Sequence, residues 1–500
     1  MIPSVSIRQA FCDPQLLGGV LAGSSWQAWR VLLTAAMGER LNDDERATFT
    51  KLTGREREPG ERVEEMEVVA GRRAGKTRAM ATLACYIAGL CRHDLVRGER
   101  GVLLCIAPDQ KQAGITLDYC TAAFEDSPIL RQLIANRTAD TLELTNGISI
   151  EVRAASFRRL RGPTYIAVLA DEAAFWMSDE SANPDVEILG AVRPGLATTA
   201  GPLVIVSSPY ARKGVLWETY RRHYGRQGDE LVLVAQGASR DLNPSLPESV
   251  VSRALERDRA AASAEYLAQF RTDIEGFVAF ETVQACVGDH VEMAPLEAHT
   301  YFGFVDPSGG SSDSFTMAIS HRDGERAGVI VIDAIRETRP PFSPAAVVDE
   351  LAALLKSYRI GRVVGDRYGG EFPRELFRKH GITYTCCGKS KSDLFRDMLP
   401  LLNSGGIVLP RSDRLVNQIV SLERRTTRAG RDSIDHAPNA HDDLANCVAG
   451  VADLLAHRED LNQIDLGEPQ QVDRGPSGAG AMWGAAGGCS PDWQDTPWLW

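Results

Sequence analysis

One junction constrains this chain more than any other. An apolar run, MEVVA, passes directly into GRRAGKT and then into the helical pattern ATLACYIAGL. A buried strand that breaks into a Gly-containing turn and restarts as a helix points several backbone N–H groups at one spot, which favours an anion. The segment AGRRAGKT is one residue short of the GxxxxGK(S/T) pattern, because Ala70 stands at the first glycine position. Alanine there requires only that the backbone stay at negative φ. In that frame Arg72, Arg73 and Gly75 lie in the loop, Lys76 reaches β- and γ-phosphate oxygens, and Thr77 ligates magnesium.

The flanking segments extend the pattern. GVLLCIAP, two shorter β-like pieces around residues 141–153, TYIAVLADEAAF and PLVIVSSP read as strands, with a helix near 111–124 between the first two groups. Apolar strands alternating with helices predict a mostly parallel sheet covered on both faces. Asp171 and Glu172 fall at the C-terminal edge of their strand, where ligands of such sheets lie. Asp171 is the candidate magnesium ligand, and Glu172 the candidate base for an attacking water. An acidic helix cap at a strand end is the plainer alternative for both. Ser207, Ser208 and Pro209 close another buried strand, where hydroxyls can sense a γ-phosphate. Arg72, Arg73, Arg158, Arg159 and Arg161 are candidates for the cation that meets the transferring phosphate. Sequence does not choose among them.

A second α/β unit begins at YFGFVDP, which with FTMAISHR and AGVIVIDAIRE predicts three successive antiparallel strands. A helix near 344–357 and the strand GRVVGD follow. Asp306 and Asp366 each end a strand, and Asp442 and Asp443 open the apolar helix in HDDLANCVAGVADLL. Carboxylates from two strand ends and one helix suit a one- or two-Mg²⁺ phosphodiester-cleaving centre, where hard oxygen ligands hold the ions and the ions activate water. Taken singly, Asp366 can cap a turn and Asp442 or Asp443 can be an N-cap. Asp313 is a possible peripheral ligand. His436 and His441 fit loop positions near the site better than a zinc pair, since the adjacent aspartates prefer hard ions. Lys389, Lys391, Arg396, Arg424 and Arg425 form a basic fringe suited to a DNA backbone.

These pieces predict a helical region over 1–60, an ATPase domain over 61–225, a linker or subdomain over 226–295, a nuclease domain over 296–465 and a Gly/Pro-rich tail over 466–500. The tail ends with Trp493, Trp498 and Trp500, a candidate docking peptide. The 10 cysteines show no paired CxxC spacing, so neither a zinc knuckle nor a disulfide framework is indicated. No uninterrupted apolar run reaches membrane-spanning length and no secretory leader pattern is present, so a cytoplasmic protein without membrane contact is expected. A formal charge of −12 does not favour a protein that coats DNA, although a local basic track can coexist with it.

The order of GRRAGKT, LADEAAF, SSP, VDP and HDDLANCVAG over roughly residues 60–460 resembles the large terminase subunit of tailed bacteriophages. The resemblance implies a P-loop ATPase followed by an RNase H/integrase-like nuclease. It implies ATP and Mg²⁺ as cofactors, with Mn²⁺ possible at the nuclease. By it, Arg72 is the loop arginine that contacts phosphate, and Ser207 to Pro209 couple hydrolysis to DNA movement. Asp306, Asp366 and Asp443 are the nuclease metal ligands; Asp443 is preferred over Asp442 because the family's His-any-Asp pattern falls on His441 and Asp443. The implied partners are double-stranded DNA, a small terminase subunit, the portal protein of a procapsid and further copies in a ring, five by the family pattern. The implied setting is the cytoplasm of an infected host, with transient residence at the portal. A helicase-like ATPase–nuclease of DNA repair or defence is the competing reading.

Overall fold

The strand that precedes the GRRAGKT loop, Glu65–Ala70, lies inside a sheet of eight strands in the computed structural model. The structure describes residues 1–456 apart from 157–159, 177–183, 312, 325, 327, 367–371, 427–431 and 438–439. The sheet runs in the order Val232–Gly237, Glu65–Ala70, Leu203–Ser207, Thr164–Asp171, Gly101–Ala107, Ile148–Ala154, Thr141–Leu144, Ile134–Arg137. The first six are parallel to one another and the last two pair antiparallel. Parallel strands carry their ligand-facing ends on one edge, so Ala70, Asp171 and Ser207 finish on the same side.

Strand alternation divides the apolar side chains between two cores. Leu103, Cys105 and Ala107 face a core shared with the helices Lys76–Leu90 and Gln110–Asp126 and with the N-terminal helices. Val102, Leu104 and Ile106 face the other, beneath the helices Pro184–Ala197 and Gly214–His223. From the first sixty residues Ile7, Trp29, Leu32, Phe49 and Leu52 pack into this first core. Trp29, Leu32 and Leu33 are buried on the helix Gln27–Ala36, whereas Trp26 sits in the turn before it.

The sheet also continues past residue 225. Val232–Gly237 pairs with Glu65–Ala70 along its whole length, so the segment expected to be linker begins with a strand of the first sheet. Its apolar residues Leu233, Val234 and Ala235 are buried on both faces, a run too short to stand out beside the charged sequence around it. The stretch SRALERDRAAASAEYLAQF spans two helices, Glu248–Arg257 and Arg259–Leu267. Asp258 leaves the helical region and caps the second by accepting from the Ala260 and Ala261 N–H groups.

Glu67 is the exception within the first sheet. It is fully buried, and neither carboxyl oxygen has a hydrogen bond of ordinary geometry. Burial, with Glu65 adding to it, raises its pKa well above the carboxyl range, and Thr219 offsets this only in part. A carboxyl whose folded pKa is raised contributes most below its unfolded pKa, and that contribution is lost as pH rises towards the folded value. Glu67→Leu is therefore expected to stabilise the protein by about 2 kcal/mol at about pH 8 and by less at about pH 5. Chemical denaturation at the two pH values checks this; equal gains would mean the carboxyl is not the cause.

The second sheet has the order Thr383–Cys386, Arg362–Gly365, Tyr301–Asp306, Phe315–Arg322, Ile330–Thr338, Ile407–Val408. Its middle three strands are an antiparallel meander, and Arg362–Gly365 joins Tyr301–Asp306 in parallel. This parallel pairing brings the ends of the two Asp-bearing strands side by side. The helix Asp443–Ala456 crosses the face of the meander at Gly450, where a Cβ would come within 2.6 Å of the Phe304 ring. A third, antiparallel sheet of Ile274–Gly276, Leu422–Thr426 and Asp432–His436 lies within the same compact unit, which spans Met1–Ala456. The expected tail, with Trp493, Trp498 and Trp500, lies outside the described residues, as do Arg158 and Arg159. Among the described residues no helix is long and apolar enough to cross a membrane.

Candidate functional site

The loop of residues 71–75 is held from outside itself. Gly71 N–H donates to the Gly237 carbonyl at 3.1 Å and Arg72 N–H to the Glu265 carbonyl. Ser239 Oγ donates to the Arg72 carbonyl at 2.6 Å, Asn243 Nδ2 to that of Arg73 at 2.9 Å, and Trp29 Nε1 to that of Ala74 at 2.7 Å. With the Gly71 and Arg72 amides and three loop carbonyls bound to the surroundings, the amides of residues 73–75 are the ones left for a ligand in front. Ser239, Asn243 and Glu265 did not stand out in sequence and nothing there tied Trp29 to the loop, because each contact involves a backbone atom far along the chain.

Gly75 turns the loop into the helix at φ 87°, in the left-handed region, and an added Cβ would lie 2.7 Å from the Trp26 ring. Both features exclude a side chain. Gly75→Ala is expected to lower the thermal midpoint by several degrees, about 2 kcal/mol, and to weaken ATP binding at least about tenfold. A thermal melt beside titration with a fluorescent ATP analogue reads both.

Lys76, Thr77, Asp171, Glu172, Ser207 and Ser208 converge in front of this loop. The Lys76 ammonium lies 3.0 Å from Glu172 Oε1, 2.7 Å from Ser208 Oγ and 3.3 Å from the Gly71 carbonyl. Thr77 Oγ1 donates to Asp171 Oδ2 at 3.3 Å. Ser208 N–H donates to Glu172 Oε2 at 2.8 Å, and Ser207 Oγ lies 3.3 Å from the same oxygen. Glu172 sits at φ 51°, a left-handed conformation costing a non-glycine residue about 1–2 kcal/mol. Such strain persists where surroundings fix it, here the Val206 carbonyl that takes the Glu172 N–H.

Burial raises the Asp171 carboxyl to about 7, with Glu172 adding to the effect and Lys76 and Thr77 opposing it. Its second oxygen, Oδ1, is buried with no partner. An orphaned carboxylate oxygen beside a threonine hydroxyl fits a magnesium ion, which would supply both missing contact and counter-charge. Arg72 and Arg73 are exposed, and Arg72 pairs with Glu265 at 3.1 Å rather than with the acidic strand. Arg161 is exposed as well.

At the edge of the second sheet Asp306 lies within electrostatic range of both Asp366 and Asp443. Asp306 Oδ2 accepts from Asn446 Nδ2 at 2.7 Å, one turn into the helix that Asp443 opens. The Asp366 backbone is pinned on both sides, its N–H donating to the Val305 carbonyl at 3.2 Å and its carbonyl accepting from Tyr384 OH at 2.6 Å. Burial pushes Asp306 up to about 7; Asn446 and Lys391 oppose this, and Asp366 and Asp443 add to it. Burial likewise raises Asp443, followed by its neighbour Asp442, and Asp443 Oδ2 is a buried oxygen without a partner. Carboxyls forced upward by burial and by one another, with an unpartnered oxygen among them, fit a divalent cation.

The two adjacent aspartates diverge. Asp443 lies near enough to Asp306 to raise its pKa, whereas Asp442 Oδ1 takes the Lys391 ammonium at 2.8 Å. Asp442 also belongs to a small Asp435–His436–Asp442 group whose potential ligand atoms lie within 4.8 Å of one another, a set able to coordinate a metal ion. Asp313 is exposed but close enough to influence Asp443, and His441 is exposed. Asn446 and Tyr384 went unread in the sequence. The asparagine sat in a quoted motif, but nothing in its spacing pointed to Asp306.

Most of the basic fringe is engaged locally. Lys389 pairs with Asp397 and Asp453, both at 2.7 Å, and Arg396 with Asp393 at 2.7 Å. Arg425 reaches Glu423 at 3.4 Å. From the first site a short path leads to the third sheet. Tyr210, directly after the SSP segment, donates through its hydroxyl to Glu423 Oε2 at 2.6 Å, and Lys213 Nζ meets Glu423 Oε1 at 2.8 Å. Glu423 is fully buried on the strand Leu422–Thr426.

Neither a family model nor a curated protein matches the sequence. Among solved structures the chain is similar to the HK97 bacteriophage large terminase, at 14% identity over 78% of this chain and 91% of that one, TM-score 0.35. It is similar to a large terminase from a thermophilic bacteriophage, at 13% identity over 87% and 100%, TM-score 0.39. The large terminase nuclease from the thermophilic phage G20c with bound magnesium matches at 20% identity over 35% of this chain and 95% of that one, TM-score 0.31. These likenesses are distant, and the functional reading below rests on the two sites themselves.

Proposed function

We propose that this chain is a terminase large subunit, an ATP-driven motor that moves double-stranded viral DNA into a procapsid and a metal-dependent endonuclease that cuts concatemeric DNA. One observation carries the reading: a Lys–Thr–Asp–Glu–Ser constellation on a parallel-sheet edge and an aspartate cluster at the ends of a second sheet occur in one compact unit. The order of the sequence motifs supports it independently.

At the first site Lys76 would bind β- and γ-phosphate oxygens, giving up its pairing with Glu172. The freed Glu172 carboxylate, still held by Ser208 N–H and Ser207, would orient water and take its proton. Thr77 and Asp171 would hold magnesium, whose charge offsets that of the phosphates. Departure of the γ-phosphate would be felt first by Ser208, two residues from Tyr210. At the second site Asp306, Asp366 and Asp443 would hold Mg²⁺ or Mn²⁺, which supplies an activated water and charge stabilisation at the cleaved phosphodiester. The partners of this reading are a small terminase subunit, a portal protein and further copies of this chain in a ring.

The test is supercoiled plasmid in Mg²⁺ or Mn²⁺, beside EDTA and an Asp366→Ala control, with ATP turnover measured with and without procapsid portals. Metal-dependent cutting lost in the variant and portal-stimulated turnover are expected. Cutting with turnover that free DNA stimulates and portals do not would move the protein to a repair or defence ATPase–nuclease. Neither activity in a folded protein would end the reading.

A further inference from the structure

A cavity of about 610 Å³ opens between the helix Gly214–His223, the start of the helix Arg259–Leu267 and residues 269–273. That volume falls in the range of small-molecule sites, about 300–1,000 Å³. Lys76, Thr77, Asp171, Glu172 and Ser207 do not line it, so it is separate from the phosphate loop and its partners.

One wall of the cavity is aromatic. Trp217, Tyr220 and Phe270 pack against one another with ring centroids 4.9 to 5.9 Å apart. Tyr220 and Phe270 also pack against the core beneath Gly214–His223, which fixes the group in place. Three arginines line the same cavity, and they differ in what holds them. Arg271 engages Asp273 through Nε at 3.1 Å and Nη2 at 2.7 Å. Asp273 is the one acidic residue among the described residues that line the cavity, and it is thereby occupied. Arg212 instead lies over the Trp217 ring, 5.3 Å from its centroid. Such a contact orients a guanidinium and uses none of its N–H donors. Arg259 opens its helix, and neither it nor Arg212 has a carboxylate partner among the described residues.

In a chain of formal charge −12, a cavity lined by three arginines and one engaged carboxylate attracts an anion. Two unpaired guanidinium forks suit phosphate oxygens, and a fixed aromatic wall suits a planar base. Stacking on Trp217 matters because it restrains Arg212 before any ligand arrives, so less side-chain freedom is lost on binding.

We infer that this cavity is a second nucleotide-binding site: Arg212 and Arg259 take the phosphate of one nucleoside phosphate, whose base lies against the rings of Trp217 and Phe270. The chemistry is the same for a free nucleotide and for the unpaired end of a DNA strand, and the experiment tells the two apart. The site binds and makes or breaks no bond. It stands independently of the packaging and nuclease readings, since none of its residues belongs to either site.

Binding is measured by calorimetry on the full chain at low ionic strength, without divalent metal, in a Lys76→Ala background that silences the phosphate loop. The ligands titrated are dAMP, 2-deoxyribose 5-phosphate and a short 5′-phosphorylated oligothymidylate. Arg212→Ala and Arg259→Ala are each expected to weaken dAMP binding at least about tenfold. Arg259→Glu is expected to abolish it while keeping the helix, because an acid suits the first turn. Both arginines are exposed, so these changes leave the packing intact. Should Lys76→Ala fold poorly, the same changes in the parent chain give the same test, since neither arginine belongs to the loop. The sugar phosphate, which lacks a base, is expected to bind at least about tenfold more weakly than dAMP. Tighter binding of dAMP than of the oligonucleotide assigns the site to a free nucleotide and the reverse assigns it to a strand end; both support the inference. Equal affinity for dAMP and the sugar phosphate would show that the cavity reads phosphate alone, and overturns the assignment. Absence of binding by dAMP and the oligonucleotide overturns it too, as does binding that stays within about twofold in the arginine variants.

Discussion

Glutamine at position 172 is expected to slow ATP turnover about 1,000-fold while nucleotide binding stays close to that of the parent. The side chain is fixed by three contacts: Lys76 at 3.0 Å, Ser208 N–H at 2.8 Å and Ser207 Oγ at 3.3 Å. An amide oxygen can keep the bond from Ser208 N–H, so the shape of the site should survive the change. What is lost is the capacity to take a proton from water. Because phosphate binding falls to Lys76 and the loop amides, affinity for a fluorescent ATP analogue should move little. Lys76→Ala, by contrast, should lose binding and turnover together, which separates the two roles. Phosphate release within about tenfold of the parent in Glu172→Gln would remove Glu172 as the base.

The same contacts explain why the pairing of Lys76 with Glu172 is itself informative. On the proposed reading Glu172 would be engaged by Lys76 until a phosphate competed for that cation, so the two ligands of Lys76 would be mutually exclusive. Ser208 bonds both members, through its hydroxyl to Lys76 and through its N–H to Glu172. Ser208 therefore stands in contact with both members and lies two residues before Tyr210, which bonds the buried Glu423.

The strands and their charged ends were legible in the sequence because burial writes itself into composition. A parallel strand covered on both faces must be apolar throughout, and the first polar residue after it marks the sheet edge. Lys76, Asp171, Glu172, Ser207, Asp306 and Asp366 were visible on that principle. Glu67 breaks the rule and left no warning, since Glu65 and Glu67 in EMEVVA look like ordinary alternation. Long-range partners were opaque for a different reason. Trp29, Ser239 and Asn243 hold the loop through its carbonyls, and a carbonyl has no letter in the sequence. Val232–Gly237 was hidden because its place beside Glu65–Ala70 is set by a crossover, not by local pattern. Lys391 could be read only as one basic residue among several. Its distinction from Lys389 lies in direction, which spacing along one helix start does not encode.

Asparagine at position 306 is expected to reduce plasmid cutting about 1,000-fold, and metal binding to the parent is expected to depend steeply on pH. Without a metal the Asp306 carboxyl is pushed up to about 7 by burial, and Asp443 is raised as well. A divalent ion binds the ionised carboxylates, so below that pH it must displace a proton from Asp306. Apparent Mn²⁺ affinity should therefore fall by up to about tenfold per pH unit below about pH 7 for each proton displaced, and level off above it. The sign for stability runs the other way. A carboxyl with a raised folded pKa favours the fold at low pH, and the metal-free protein loses that contribution as pH climbs through the folded value. The ion replaces the proton as the balancing charge, so the increase in thermal midpoint on adding Mn²⁺ should be larger at about pH 8 than at about pH 6. Titrations in two buffers of different ionisation enthalpy would read the released proton directly. Equal affinity at both pH values would show that Asp306 is already ionised when the metal arrives, and that its burial is not what the ion relieves.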